Sequence, residues 1–417
     1  MKVAIVHDWF VGGGAERVVE QLHKMYPEAP IYTSYCTNEW REQLDGKVIT
    51  GFLQKWPFPA LRKFVPFLRI WWFSRLNFDN YDLVISSSGA EAKGVRTKPK
   101  KIKTVQDVQL AAAQGASENR KGDVQNGTLT ADRSSQHSDV VKSASGAAGS
   151  AERQAGAVHI LYCHAPTHYY WSRYDEYLKS PGFGFFDPLA RLGLRLLVGP
   201  LRHWDFKAAQ RPDFIIANSN YTKEQIKKYY GREATVIHPP VDIERFAGGS
   251  EPRHGFVAAG RQTPYKRIDL AVAACTRLGL PLIVIGSGPD HAKLKKLAGK
   301  SVTFLRGKND EEVAHYFQTS QAFIFPGIDD FGIVAVESLA AGTPVIALKA
   351  GGALDYVKPG QTGLFFEEQT TESLEKALRK FNPANFNPTT IAKSAQGFSA
   401  DSFRRQFQKT VERATAK

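Results

Sequence analysis

The sequence predicts an α/β protein built on open, doubly wound sheets, and three stretches carry that expectation. Each is a short apolar strand that leads into a glycine-rich or charged turn and then into a helix with apolar residues at helical spacing. They are residues 2–6 with the turn Gly12-Gly13-Gly14, residues 256–259 with the turn 260–267, and residues 322–326 with the turn 327–332. At 417 residues and 42% hydrophobic content, the chain can fill two cores of ordinary size.

In the first stretch, residues 7–11 leave the strand and the three glycines open a helix on Val18, Val19, Leu22 and Met25. Glycines there let a ligand approach the backbone closely. The turn is neither the G-x-G-x-x-G dinucleotide fingerprint nor a phosphate loop ending in Lys-Ser/Thr, which disfavours a nicotinamide enzyme and a nucleotide hydrolase.

Residues 52–77 follow, with Lys55, Arg62, Lys63, Arg69 and Arg75 set among eight Trp and Phe residues and no acid. The formal charge is +14, with a pI near 9.5, and calls for a partner. Basic and aromatic residues mixed in this way favour the surface of an anionic membrane, with Lys55, Arg62, Lys63, Arg69, Trp71 and Trp72 as contact candidates. A buried helix pair with a basic rim is the competing reading. Nucleic acid is disfavoured because no recognised binding module accompanies the charge. Residues 98–157 turn rich in Ala, Gly, Ser, Gln and Asn, a composition that predicts a flexible insertion.

The strand-like run 159–163 ends at His164, before Ala165-Pro166, so this histidine is expected to project into a crevice; a histidine satisfied by backbone is the alternative. His7 is a second, weaker candidate, and His168 and His238 lie in similar turns. Arg261 and Lys266 place two cations in the turn after strand 256–259. In an open α/β sheet that turn faces the ligand crevice at the carboxyl ends of the strands. A guanidinium fork and a compact ammonium can neutralise a diphosphate without a metal. In the third stretch, Asp329 and Glu337 bracket a helix whose N-terminal N–H groups suit anionic oxygens, an outline that fits a sugar attached to a phosphate. The bland alternative is a capped helix with a solvated Glu. No nucleophile-base carboxylate pair and no metal-ligand spacing stands out, so neither metal nor cofactor is expected. Such a site stabilises a leaving group.

Taken in order, the motifs at 7–20, 81–97, 162–171, 217–231, 236–242, 260–269, 286–289 and 329–347 resemble the family 4 glycosyltransferases, retaining enzymes of GT-B architecture with two facing Rossmann-like domains. The resemblance implies that Arg261 and Lys266 grip the donor diphosphate and Glu337 the ribose hydroxyls. It sets the turn Asp329, Phe331, Gly332 and Ile333 at the donor sugar, His164 over that sugar, and Gly12 and Gly13 between donor and acceptor. His164, Arg261, Lys266 and Asp329 form the expected catalytic set. One departure is Asp329, where the family's E-x7-E motif begins with Glu; the shorter side chain changes its reach. The wording of the N-terminal half is most similar to bacterial O-antigen and exopolysaccharide mannosyltransferases. That implies GDP-mannose as donor and a polyprenyl-diphosphate-linked glycan as acceptor. Alternatives are a UDP-sugar or ADP-glucose donor, a nucleotide-sugar epimerase, or a non-catalytic membrane-binding module.

The expected domains are residues 1–240, a hinge at 241–255, a nucleotide-sugar domain at 256–387, and a closing segment at 388–417 whose helix returns to the first domain. No apolar run approaches the roughly 18 to 20 residues that cross a bilayer, and residues 1–6 are too short for a signal-peptide core. Cys36, Cys163 and Cys275 fit neither a disulfide framework nor a zinc site. The expected place is the cytoplasmic face of the cell membrane.

Overall fold

The structure, a computed structural model, describes residues 1–61, 66–97, 156–179, 181, 184–249 and 251–416. It contains two parallel sheets. The first has seven strands, β1 Val3–His7, β2 Ile31–Thr33, β3 Val48–Thr50, β4 Leu83–Ser88, β5 Val158–Cys163, β6 Phe214–Ala217 and β7 Thr235–Val236, in the order β3-β2-β1-β4-β5-β6-β7. The second has six, β8 Phe256–Ala259, β9 Leu282–Ile285, β10 Val302–Leu305, β11 Ala322–Phe325, β12 Val345–Leu348 and β13 Gly363–Phe366, in the order β10-β9-β8-β11-β12-β13. This is the α/β, doubly wound architecture that the sequence predicts. Parallel strands are covered by helices on both faces, which is why VAIVH in β1 and AFIF in β11 are buried at every position.

Each sheet winds outward from one central strand and then returns to that strand's other side. The reversal falls between β1 and β4 in the first sheet and between β8 and β11 in the second. At such a point the loops at the carboxyl ends diverge and leave a crevice. The glycine turn after β1, the cationic turn after β8 and the acidic turn after β11 all sit at these two places.

The backbone passes between the sheets twice, side by side. Val241 N–H donates to Phe398 O at 2.9 Å, and Val241 forms a parallel bridge with Ser399. Ser399 caps the final helix, Ala400–Thr415, by accepting from Ser402 N–H at 3.2 Å. Phe403, Phe407, Val411 and Ala414 lie on one face of that helix and are buried in the same core as Ile5, Val19 and Ile160.

The basic-aromatic stretch divides, which corrects two of its membrane-contact candidates. In the helix Pro66–Ser74, residues 69, 72 and 73 share a face and turn inward. Trp72 and Phe73 join a core with Val84 and Val95, while Arg69 is buried in an ion pair with Glu91 at 2.8 Å and lies over the Trp9 ring at 5.2 Å. Lys55 is exposed, as are Trp56 (87%) and Trp71 (45%). Arg62, Lys63 and nearly all of the 98–157 insertion lie outside the described residues. Among the described residues, no helix is long and apolar enough to cross a membrane.

Removing Phe407 would open the first core from its C-terminal cover. Phe407→Ala is expected to cost about 3–5 kcal/mol. All seven tryptophans lie between positions 9 and 204, so tryptophan fluorescence in a urea titration reports on the first domain alone. An unchanged midpoint would mean that the helix contributes nothing to that core.

Candidate active site

The first-domain wall is assembled from the ends of β1, β4 and β5. Asp8, just past β1, is buried and accepts from the N–H groups of Gly89, Ala90 and Ala92 at 2.9, 3.0 and 2.7 Å and from Ser88 Oγ at 3.1 Å. A carboxylate so satisfied ties β1 to β4 firmly. His7 Nδ1 lies 2.8 Å from Ser87 O, and His164 Nε2 lies 2.7 Å from Ser87 Oγ, with the two imidazoles 6.4 Å apart. Burial, helped by His7, holds His164 down to about 3, so its half-buried ring is neutral at physiological pH.

The glycine turn is braced from within its own helix. Its first N–H groups already have a partner, because Glu16 Oε1 accepts from Val11 N–H at 3.3 Å and Gly12 N–H at 3.1 Å. Gly12 and Gly13 are exposed at the cleft, and a Cβ on Gly14 would stand 2.7 Å from Ile333 Cδ1 of the second domain. The turn therefore touches the second domain directly at Ile333.

The loop after β5 rests on Asp205, from the helix Asp187–Ala209. Its carboxylate accepts from Thr167 Oγ1 (2.8 Å), Trp171 Nε1 (2.8 Å) and Tyr230 OH (2.7 Å), and Lys93 Nζ lies 2.7 Å away. A fully buried ion pair must offset a large desolvation cost. Here the added hydrogen bonds do so and fix residues 164–171 from below.

On the second-domain wall, the turn after β8 contains a short 3₁₀ segment, Pro264–Lys266. Lys266 Nζ forms an ion pair with Asp329 Oδ2, while Asp329 Oδ1 is buried with no hydrogen-bond partner among the described residues. Arg261 is exposed and makes no side-chain hydrogen bond or ion pair among the described residues. Gly332, at φ 92°, caps the helix Ile333–Ala340; a Cβ there would meet Tyr356 OH at 2.7 Å, so both conformation and space demand glycine. Phe331 corrects its donor-binding assignment in part. Its ring is buried against His238 and Phe398, so its side chain belongs to the core and only its backbone belongs to the turn. Glu337 is 6% exposed, and Arg17 from the first domain reaches it at 3.5 Å. Burial pushes the Glu337 carboxyl up to about 7; Arg17 and Arg245 pull it down, and Asp310 and Asp242 add to the rise.

Several bonds cross between the walls. His168 Nε2 lies 2.8 Å from Asp330 Oδ2, Arg173 donates to Ile328 O at 2.9 Å, and Ser219 Oγ donates to Asp330 O. Asn220 N–H and His238 Nε2 both hold Asp355 Oδ2, at 2.8 and 3.0 Å. The structure thus brings Lys266 to Asp329, Ile333 to the glycine turn and Glu337 to Arg17. Sequence reading missed Asp8, Glu16, Arg17, Arg173 and the role of His168. Their only signal was proximity to motifs already singled out, such as the Glu-Arg pair just after the glycines. No group of three or more His, Cys, Asp and Glu suited to a metal occurs among the described residues.

Two family models match the sequence: Glycosyl transferases group 1 over residues 241–385 and Glycosyltransferase Family 4 over residues 129–245. A D-inositol 3-phosphate glycosyltransferase of Rhodococcus opacus is 30% identical over 200 residues, covering 40% of this chain and 45% of its own. An uncharacterized glycosyltransferase of Methanocaldococcus jannaschii is 28% identical over 198 residues, covering 46% and 56%. The chain spans about half the length of these curated relatives. Among solved structures, Anabaena HepE in complex with UDP aligns over 99% of this chain and 100% of its own, with TM-score 0.61 and 16% identity. Sucrose-phosphate synthase from Thermosynechococcus elongatus aligns over 100% of both chains, with TM-score 0.61 and 16% identity. The fold is GT-B, and the sequence is similar to glycosyltransferase group 1 over residues 241–385 and to family 4 over residues 129–245.

Glu337 makes stability depend on pH. Its folded value of about 7 stands above the ordinary 4.5, so the folded chain holds this proton more tightly than the unfolded chain. That contribution is complete below pH 4.5 and is lost as pH rises through 7, a change of about 3 kcal/mol. Glu337→Gln should match wild type at pH 4.5 and exceed its stability by about that amount at pH 8, measured by calorimetry. Parallel pH profiles for the two proteins would remove Glu337 as the titrating group.

Proposed function

We propose that this GT-B chain is a retaining glycosyltransferase that moves a hexose, mannose in our reading, from a nucleotide-diphosphate sugar to a lipid-linked or polysaccharide acceptor in cell-surface glycan synthesis. One observation carries the reading. Arg261, which makes no side-chain hydrogen bond or ion pair among the described residues, Lys266, and the start of the Ile333–Ala340 helix lie at the carboxyl ends of β8 and β11, beside a buried Asp329 oxygen that lacks a hydrogen bond among those residues. A buried polar atom left unsatisfied in an otherwise bonded site is a place for a ligand hydroxyl.

In this mechanism Arg261 and Lys266 bind the donor diphosphate, Lys266 exchanging part of its bond to Asp329 for phosphate oxygen. The helix N–H groups add to that field. Asp329 accepts from a sugar hydroxyl, and Glu337 takes the ribose hydroxyls once Arg17 yields it. As the bond from the anomeric carbon to the diphosphate breaks, negative charge grows on the phosphate, where fixed cations lower the barrier. The acceptor oxygen bonds to the same face of the anomeric carbon, and its proton passes to the departing phosphate oxygen. His164, neutral and held by Ser87, lines the sugar from the opposite wall. GDP-mannose as donor and a polyprenyl-diphosphate-linked glycan as acceptor rest on the motif resemblance in the first half of the chain. Uridine donors are the second reading, since the solved HepE structures include complexes with UDP and UDP-glucose. No metal takes part in this scheme.

Arg261→Ala and Lys266→Ala should each lose about 10²- to 10³-fold in turnover while remaining folded. Near-normal rates in both purified variants would overturn the assignment. A melting panel of GDP-, UDP-, ADP- and dTDP-sugars identifies the donor, because ligand at 100 times its Kd adds about 2.7 kcal/mol. A selective shift with GDP-mannose is the expected result, and a selective shift with a UDP-sugar would correct the donor.

A further inference from the structure

The helix Asp187–Ala209 carries an apolar surface that the cleft does not use. Leu189, Leu192 and Leu196, at helical spacing, are 66%, 53% and 67% exposed, and Leu197 beside them is 42% exposed. The second half of the helix buries Val198, Leu201, Ala208 and Ala209, whereas no residue of the first half, 187–197, is buried. A helix with one apolar face in the core ordinarily presents polar residues on the other. Here solvent meets a second apolar stripe, and exposed patches of this kind mark contact with a partner.

The charge around the stripe selects the partner. Arg195 is exposed and without an ion pair among the described residues, and Lys207 is exposed further along. Of the two acids on the helix, Asp187 lies 3.9 Å from Arg191, and Asp205 is fully buried beside Lys93. The free charge on the helix itself is therefore positive, while the neighbouring helix Tyr174–Lys179 adds exposed Asp175, Glu176 and Lys179. The helix also packs on the turn Ala92–Gly94, with the Trp204 ring only 2.6 Å from where a Gly94 Cβ would stand. The helix Pro66–Ser74, bearing exposed Phe67 and Trp71, packs on that same turn. The two helices that bear these exposed apolar residues thus pack on one turn of the first domain.

We propose that the outward face of the helix Asp187–Ala209, with Leu189, Leu192 and Leu196 inserted and Arg195 at the phosphates, docks this chain on an anionic lipid surface. A leucine stripe beside arginines at one level matches the acyl boundary and headgroup layers of a bilayer, where a partner protein would need acids placed to order. The inference deepens the lipid-linked acceptor reading and rests on it for its biological sense. Its test uses no sugar, so it fails independently of that reading.

The experiment is co-sedimentation of the full chain with phosphatidylcholine vesicles, with and without phosphatidylglycerol. Wild type should sediment with the anionic vesicles alone. The triple variant Leu189→Gln, Leu192→Gln, Leu196→Gln should partition at least about tenfold more weakly, and Arg195→Glu should show a similar direction. Melting temperature and the donor-induced melting shift should be unchanged in both, and Leu192→Gln alone serves if the triple variant does not fold. Wild-type partitioning retained in the variants would overturn the proposal. So would a wild-type dimer that the leucine variant dissolves without any vesicle binding, because the stripe would then join two copies of the chain.

Discussion

Everything in the cleft depends on how the first domain holds the turn after β11. Ser219 Oγ accepts from Thr222 N–H at 2.9 Å as a helix cap and also donates to Asp330 O, so one hydroxyl serves the start of a helix and the opposite domain. His168 and Arg173 grip the same turn from the loop after β5. Burial alone would raise the Asp330 carboxyl, but His168, Arg173 and Lys266 outweigh it and hold it below the ordinary carboxylate range. Asp329 is the next residue on one side of this fastening, and the Ile333–Ala340 helix begins just beyond it on the other. The groups of the second domain that face the cleft are therefore positioned against strand ends of the first. Placement of that kind matters because misplacement by about an ångström costs heavily in a transfer reaction.

Two cations of the cleft are paired with two of its carboxylates. Lys266 leans on Asp329, and Arg17 on Glu337. Each pair shields charges that burial would otherwise penalise. A ligand carrying both phosphates and hydroxyls can replace both pairs at once, giving each cation an oxygen anion and each carboxylate a hydroxyl. A ligand with only one of those features leaves a buried charge uncompensated, so these pairs bias the cleft toward compounds that carry both.

The strands and the turns that follow them were legible in the sequence because parallel strands are continuous apolar runs and their ligand turns need unusual residues. Gly332 and the Lys266 turn could be located from spacing alone. Partners were not legible. Arg69 reads as one more cation in a basic-aromatic stretch until Glu91 is set beside it by the fold, 22 positions along the chain. The same holds for Asp205, whose four partners come from three other segments. For Glu16 the reason is local: an acid in the first turn of a helix can fold back onto the N–H groups ahead of it, as here, and spacing does not show that. Phe331 shows the limit of a motif, which identifies a turn but not which of its side chains face inward.

The adjacent crossings at Val241 and Phe398 make the first domain discontinuous in sequence. Its sheet is complete by residue 236, but its covering helix begins only at residue 400. During synthesis the second domain emerges in one piece and can close its own core, while the earlier half waits with an apolar face uncovered. At about 5–20 residues per second, the intervening stretch of chain takes on the order of ten seconds to appear. The half of the protein made first is thus the half finished last, and its exposed sheet is the surface that a nascent-chain chaperone would have to shield.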